Sequence, residues 1–314
     1  MKLVIGSYAT PPRPLQTRSE FELMSAGVLA LGGVDGLEVP YLGAGSPWQD
    51  ATHLRMGGGR HVLTTVPSMM SGIERDPAFG LASDDDDARA AAVQLIADAR
   101  AFVADVNAGA GATFGTVLLH SAPGRGRSTP EAFARSLDEI AAWDWAGASL
   151  AVEHCDALVP SHAPDKGFLG LDQELALAAA RGIGVSLNWG RSAIETRSAD
   201  GPAEHIAAAV EAGVLTGLVF SGCAPVEGPY GAAWADRHLP VRDWGSGPLS
   251  DAGEAGLLTR REVERCVGLA LGAADLQYLG VKVKAPPATA PEDWLEVIRG
   301  NFRVLAETLA AQAV

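Results

Sequence analysis

Short apolar, β-branched runs alternate along this chain with longer segments whose apolar residues recur at helical spacing. The strand-like runs are KLVIGSY (2–8), GLEVPYL (36–42), HVLTTVP (61–67), TVLLHSA (116–122), SLAVEHC (149–155), IGVSLNW (183–189), TGLVFSG (216–222) and LQYLGVKVKA (276–285). Helical patterns fill 17–31, 48–56, 84–108, 128–146, 171–181, 201–213, 259–273 and 291–312. Start signals support several of them. STPE (128–131) sets a Ser cap, a first-turn Pro and a Glu in order, Thr259 caps the next-to-last helix, and PEDW opens the last one. SDDDDAR (83–89) suits a helix N-terminus, where the dipole favours acidic residues.

Eight strands and eight helices in strict alternation predict parallel βα units, and hence an α/β fold built as a single (β/α)8 TIM barrel over residues 1–314. An open doubly wound sheet fits less well, because GSYATPP follows the first strand where a phosphate-binding GxGxxG would stand. The longest predicted loops follow strands 3 and 7, on the face where barrels carry their chemistry. WADRHLPV (234–241) lies in the second of these loops.

Alternation within each strand then fixes which side chains point inward. With Val117, Leu119, Leu150, Val152, Val185, Leu187, Leu279, Val281 and Val283 facing the helices, the inward set becomes Leu118, His120, Ala151, Glu153, Cys155, Ser186, Asn188, Gly280, Lys282 and Lys284. Glu38 turns inward between Leu37 and Val39 by the same rule. Glu38, His120, Glu153, Asn188, Ser221 and Lys282 therefore gather near the C-terminal strand ends. Several ionisable groups buried at one end of a barrel are costly unless they pair or bind something, so this end is the candidate site. His154 should face the helices in a structural role, while His53, His61, His162 and His205 carry no discriminating signal, and GGGR (57–60) is a turn.

Composition narrows the function classes. The formal net charge of −14, with no Lys/Arg run, disfavours nucleic acid as a partner. Cys155, Cys223 and Cys266 lie far apart, which indicates neither a disulfide framework nor a zinc knuckle. No run approaches the length of a membrane span, so no membrane partner and a cytoplasmic location are expected; a homo-oligomer remains compatible. The only four lysines are Lys2, Lys166, Lys282 and Lys284, and two of them share one face of strand 8.

The βα order together with VLLHSAP, LAVEHCD and ADRHLPVRDWGSG resembles the xylose-isomerase-like barrels, which include sugar isomerases, epimerases and endonuclease IV. ADRHLPVRDWGSG is similar to the metal-binding DRHxxIGxG segment of endonuclease IV, which implies Asp236 and His238 as ligands. His120 and Glu153 occupy positions where that superfamily also places ligands. More closely, GLASD, HSAP, WDWAGASLAVEHCDA, KGFL, NWGRSAIETRS and GLVFSG resemble an uncharacterised bacterial family within this superfamily, a domain of unknown function. The departures are Asn188 and Arg191 where Asp and His are usual, Ser221 in place of His, and Lys282 in place of Glu. The two-carboxylate metal centre is thus dismantled, leaving His120 with Glu153 and Asp236 with His238. A single divalent ion (Zn, Mn or Mg) on those four is the one cofactor the resemblance implies.

The resemblance implies a small-molecule carbohydrate substrate and an isomerase or epimerase that abstracts a proton beside a carbonyl. Glu153 would be the base, Lys282 the stabiliser of the oxyanion, and His120 an acid or orienter. Glu38, Asn188, Trp189, Arg191, Ser221, Asp236, His238 and Lys284 would hold the substrate, with Trp189 as an apolar platform. Two alternatives stay open: a Schiff-base or metal-assisted sugar lyase or aldolase, and a non-catalytic sugar-binding barrel.

Overall fold

The computed structural model describes residues 1–312. Its strands are β1 (Lys2–Ile5), β2 (Gly36–Pro40), β3 (Gly59–Thr64), β4 (Ala112–Leu119), β5 (Ser149–Glu153), β6 (Gly184–Asn188), β7 (Leu215–Phe220) and β8 (Tyr278–Val281). All pair in parallel in chain order, and β8 closes on β1. The helices around them are α1 (Arg18–Glu22), α2 (Ala51–Gly57), α3 (Val66–Arg75), α4 (Asp86–Asn107), α5 (Pro130–Ala141), α6 (Leu171–Ala179), α7 (Trp189–Thr196), α8 (Gly201–Glu211), α9 (Pro248–Asp251), α10 (Arg260–Ala270) and α11 (Trp294–Gln312). The (β/α)8 barrel expected from the alternation is the fold. Among the described residues, no helix is long and apolar enough to cross a membrane.

The helical layer holds three elements that the hydrophobic pattern does not predict: α3, α7 and the four-residue α9. The loop expected after β3 contains α3, whose Pro67 sits in the first turn. A proline there looks like a stop, but the first turn of a helix needs no N–H from it. NWGRSAIET, expected to end a strand and enter a loop, forms α7. Asn188 stays extended, and its Oδ1 accepts from the N–H groups of Gly190 and Arg191. That cap turns the chain sharply, so that Arg191 lies in the first turn of the helix.

Two apolar compartments confirm the predicted register. Val4, Val62, Leu118, Ala151, Val219 and Tyr278 cluster inside the barrel, and the Tyr278 hydroxyl lies 2.6 Å from Ser186 Oγ. Val117, Leu119, Val152, Val185, Leu187, Leu279 and Val281 face outward into the shared core with the helices. One pleat beyond the inner plug, the inward positions become Glu38, His120, Glu153, Asn188 and Lys282, all buried. Cys155 departs from the alternation: the strand ends at Glu153, and Cys155 packs into the outer core.

The long segment after β7 folds back over the barrel and is tied down at several points. Gly222 and Leu239 exchange backbone hydrogen bonds of 2.8 and 2.9 Å, and Val241 N–H donates to Asn301 Oδ1 of α11 at 2.7 Å. Trp244, 4% exposed, lies against Gly300 of α11, where an added Cβ would overlap its ring. The glycine is what lets the loop seat on the helix. Gly300→Ala is therefore expected to destabilise the protein by about 1–3 kcal/mol through overpacking. Denaturant unfolding checks this, and an unchanged midpoint would show that Trp244 is free to move aside.

Candidate active site

Glu153, the last residue of β5, is fully buried and contacts two partners. His120 Nε2–H donates to its Oε2 at 2.7 Å. The Arg191 guanidinium lies 2.8 Å from its Oε1, close enough for an ion pair but out of line for a hydrogen bond, so both atoms lack a hydrogen-bond partner. Burial favours the neutral acid, yet Arg191, the His120 hydrogen bond and Lys282 outweigh it and hold the Glu153 carboxyl well below its ordinary range. Burial likewise keeps His120 a neutral imidazole, against the pull of Glu153. Its Nδ1 lies 3.2 Å from the hydroxyl of Thr65.

Lys282 continues β8 and is also fully buried. Its ammonium donates to Glu38 Oε1 at 2.7 Å and sits 5.0 Å from the centre of the Tyr8 ring. The Tyr8 hydroxyl donates to the same carboxylate oxygen at 3.1 Å. Burial disfavours the ammonium, but Glu38 reverses the sign and pushes Lys282 above its ordinary value. The stem of Lys282 needs a gap just past the end of β1 to reach Glu38, and Gly6 provides it. A Cβ at position 6 would come within 2.8, 2.9 and 3.1 Å of three stem carbons.

The loop after β7 contributes the third carboxylate. Asp236 Oδ2 accepts from Lys166 Nζ at 2.7 Å and from Arg191 Nε at 3.0 Å. Its Oδ1 lies 3.1 Å from His238 Nδ1, which is 2.8 Å from Ser221 Oγ. Burial works against ionised Asp236, but Lys166, His238 and Arg191 hold it well below the usual carboxylate range. His238 and Trp234 both adopt left-handed backbone, at φ 55° and 57°, so the loop turns sharply on either side of the aspartate.

Most of the predicted site thus assembles: Glu38, His120, Glu153, Asn188, Arg191, Ser221, Asp236, His238 and Lys282. Two predicted members do not join it. Trp189 points outward into the core beside Cys266 rather than into the mouth, because it follows inward-facing Asn188 and falls on the opposite face with Leu187. Lys284 is half-buried next to Arg237, one pleat too far along to reach the charged cluster. Tyr8, Lys166 and Thr65 were not singled out by sequence reasoning. Only the scarcity of lysine could have pointed to Lys166.

Three carboxylates (Glu38, Glu153, Asp236) meet three cations (Lys166, Arg191, Lys282) here, with both imidazoles pushed toward the neutral form. The metal implied by the superfamily resemblance does not fit this donor set. The Arg191 guanidinium lies between the two carboxylates that would have to share an ion, and its fixed positive charge would repel one there. His120, Glu153, Asp236 and His238 are each engaged with another protein group. Among the described residues, the one group of three His, Cys, Asp or Glu with ligand atoms mutually within 4.8 Å lies elsewhere, at His154, Glu195 and His205.

Tyr8 also borders a cavity of about 520 Å³ over the ends of β1 and β2, lined by Phe21, Trp48, Leu42, Arg13 and Arg18 among others. It separates this solvent-connected space from the buried charges. Within them, Glu38 Oε2, Glu153 Oε1, Asn188 Nδ2 and Arg191 Nη1 are buried without hydrogen-bond partners.

The family described as Domain of unknown function (DUF4862) matches residues 4–294. The uncharacterized protein STM3670 of Salmonella typhimurium is 36% identical over 297 residues, which is 91% of each chain. Among solved structures, a D-psicose 3-epimerase crystallised with D-fructose is similar at TM-score 0.57 and 15% identity, covering 99% of this chain and 97% of its own. A sugar phosphate isomerase/epimerase from Parabacteroides distasonis gives TM-score 0.52 and 11% identity over 96% and 94%. The likeness to these structures is one of fold.

The ion-pair cluster makes stability dependent on acid in a defined direction. Glu153 and Asp236 have depressed folded-state values, so their contribution is present above the unfolded carboxylate value of about 4 and is lost as pH falls through the folded values. Asp236→Asn leaves Arg191 and Lys166 buried without their shared partner and is expected to cost about 3–5 kcal/mol. It should also flatten the acid limb of the stability curve. Urea unfolding from pH 3 to pH 7 checks both.

Proposed function

This chain belongs to the Domain of unknown function (DUF4862) family, a label that carries no chemistry, and from its own site residues we propose a carbohydrate isomerase or epimerase that works without a metal ion at the barrel mouth. The observation that carries this reading is the buried pairing of Glu153 with Arg191 beside Lys282 with Glu38. An enolising enzyme needs a carboxylate to take a proton next to a carbonyl and a fixed positive charge for the oxygen that becomes anionic. Both stand here at the same end of the barrel, on β5 and just past β8, with unpartnered polar atoms suited to sugar hydroxyls around them.

In the proposed reaction, substrate enters past Tyr8 from the neighbouring cavity. Its hydroxyls engage Arg191 and draw the guanidinium off Glu153, which restores basicity to a carboxylate that Arg191 otherwise quenches. Glu153 then takes the proton from the carbon next to the carbonyl. The electron pair moves onto the carbonyl oxygen, where Lys282 stabilises the enediolate. Return of that proton to the neighbouring carbon, with the hydroxyl proton of the enediolate passing to the oxygen held by Lys282, isomerises the sugar. A solvent proton delivered to the opposite face of the original carbon, with Glu153 releasing its own to water, epimerises it. His120 holds the Glu153 carboxylate through its Nε2–H and so orients the base. A Schiff-base lyase draws no comparable support, because an amine nucleophile must lose its proton and Glu38 raises the basicity of Lys282.

Incubating the protein with a panel of ketoses, aldoses and their phosphates in deuterated water, followed by proton NMR, tests the reading. The expected result is deuterium at the carbon beside the carbonyl of one substrate class. Glu153→Gln should lower that rate by about 10²–10⁴-fold, and Lys282→Met should lower it by about 10²–10³-fold. Binding without exchange across the panel would favour the non-catalytic sugar-binding barrel. Borohydride trapping of an adduct on Lys282 would favour the lyase.

A further inference from the structure

Behind β5, on the side turned away from the barrel axis, a second set of ionisable groups is buried among α6, α7 and α8. His154 lies between two carboxylates, with Nδ1 2.6 Å from Glu174 Oε2 and Nε2 2.9 Å from Glu195 Oε2. His205 of α8 brings its Nε2 to 3.7 Å from the other oxygen of Glu195, and its own Nδ1 is buried without a partner. Ser121 Oγ–H donates to Glu174 and fixes it from behind. His154 and Glu174 are fully buried, while the side chains of Glu195 and His205 keep 11% and 13% exposure, which leaves an approach from solvent.

The charge state of this group differs from that of the barrel mouth. Burial pulls His205 down to about 4, so it is neutral at physiological pH. Burial would lower His154 as well, but Glu174 and Glu195 lift it to about 10. Two carboxylates and two imidazoles meet here, a set of donor atoms rather than matched ion pairs. Among the described residues, no lysine or arginine pairs with either carboxylate.

We propose that His154 Nε2, the Glu195 carboxylate and His205 Nε2 bind one divalent transition-metal ion of the zinc class, with Glu174 orienting His154 through its Nδ1–H. Ligands about 2.0–2.1 Å from a tetrahedral centre stand roughly 3.3 Å from one another, and the spacings of 2.9 and 3.7 Å to the two Glu195 oxygens bracket that value. All three donors already lie within 4.8 Å of one another. Two imidazoles and one carboxylate suit zinc, whereas calcium and magnesium favour oxygen alone. A carboxylate on the far nitrogen of a ligating histidine is the usual orienting partner, and Glu174 stands there. Three protein ligands leave the fourth position to water. On binding, the ion replaces the Nε2 proton of His154, which leaves to solvent, and both carboxylates become compensated.

The consequence reaches the barrel mouth. Glu195 and Arg191 share α7, and His154 follows Glu153 in the chain, so the ion pins the helix bearing the guanidinium to the strand bearing the carboxylate. The site stands whatever reaction the mouth performs, and its test uses no sugar.

Chelator-treated, full-length protein is titrated with Zn²⁺ by calorimetry in buffers of different ionisation enthalpy, and with Co²⁺ by visible absorption. Expected are one ion per chain, release of about one proton per ion, and affinity that tightens as pH rises. The Co²⁺ complex should show the intense bands of tetrahedral coordination. His205→Gln should abolish those bands, and Glu174→Gln, which keeps all three ligands, should weaken binding by about 10–100-fold. Circular dichroism establishes that each variant is folded. Absence of stoichiometric binding to the wild-type chain, or equal affinity in folded His205→Gln, would overturn the proposal.

Discussion

One guanidinium ties together the parts of this molecule that chemistry requires to be close. Arg191 reaches a carboxylate at a strand end and another in the loop over the barrel, while its own backbone N–H is capped by Asn188. Removing a charge of this kind from water costs several kcal/mol, so it is tolerated only where opposite charge surrounds it. The surrounding groups are subject to the same demand. Glu153 needs Arg191, Asp236 needs Arg191 and Lys166, and Glu38 needs Lys282. The mouth is therefore an all-or-none arrangement, and the loop carrying Asp236 is held as much by charge as by its apolar anchor at Gly300.

The contrast between the two buried polar clusters follows from which face of β5 each occupies. Glu153 points to the axis, where residues from every strand converge and cations from three separate elements can reach the carboxylates. His154 points outward, where only α6, α7 and α8 come near and they supply carboxylates and one more imidazole. The last residue of β5 and the one that follows it thus enter opposite electrostatic surroundings. The inner cluster pairs its carboxylates with lysine and arginine; the outer one offers its carboxylates only imidazoles.

Much of this was legible in the sequence, because a barrel strand has a period of two and a mandatory apolar face. That rule placed Glu38, His120, Glu153, Asn188 and Lys282 inward without any tertiary information. The departures named Arg191 and Lys282 as cations standing where a metal site would need ligands. Trp189 follows inward-facing Asn188, so the same period carries it outward, and the indole lies in the outer core with Leu187. Pairings across long sequence separations, such as Lys166 with Asp236 or His154 with His205, leave no periodic trace at all. Tyr8 escaped notice because an aromatic residue at a strand end suits a core as well as a site.

The crossing of Lys282 over Gly6 has a genealogical meaning. The lysine stem passes so close to the first strand that any side chain at position 6 collides with it. Position 6 and position 282 are consequently free to vary only in concert. Among relatives, a lysine here should never be found without the glycine, and descendants that regain a bulkier residue at position 6 must first have given up the ammonium.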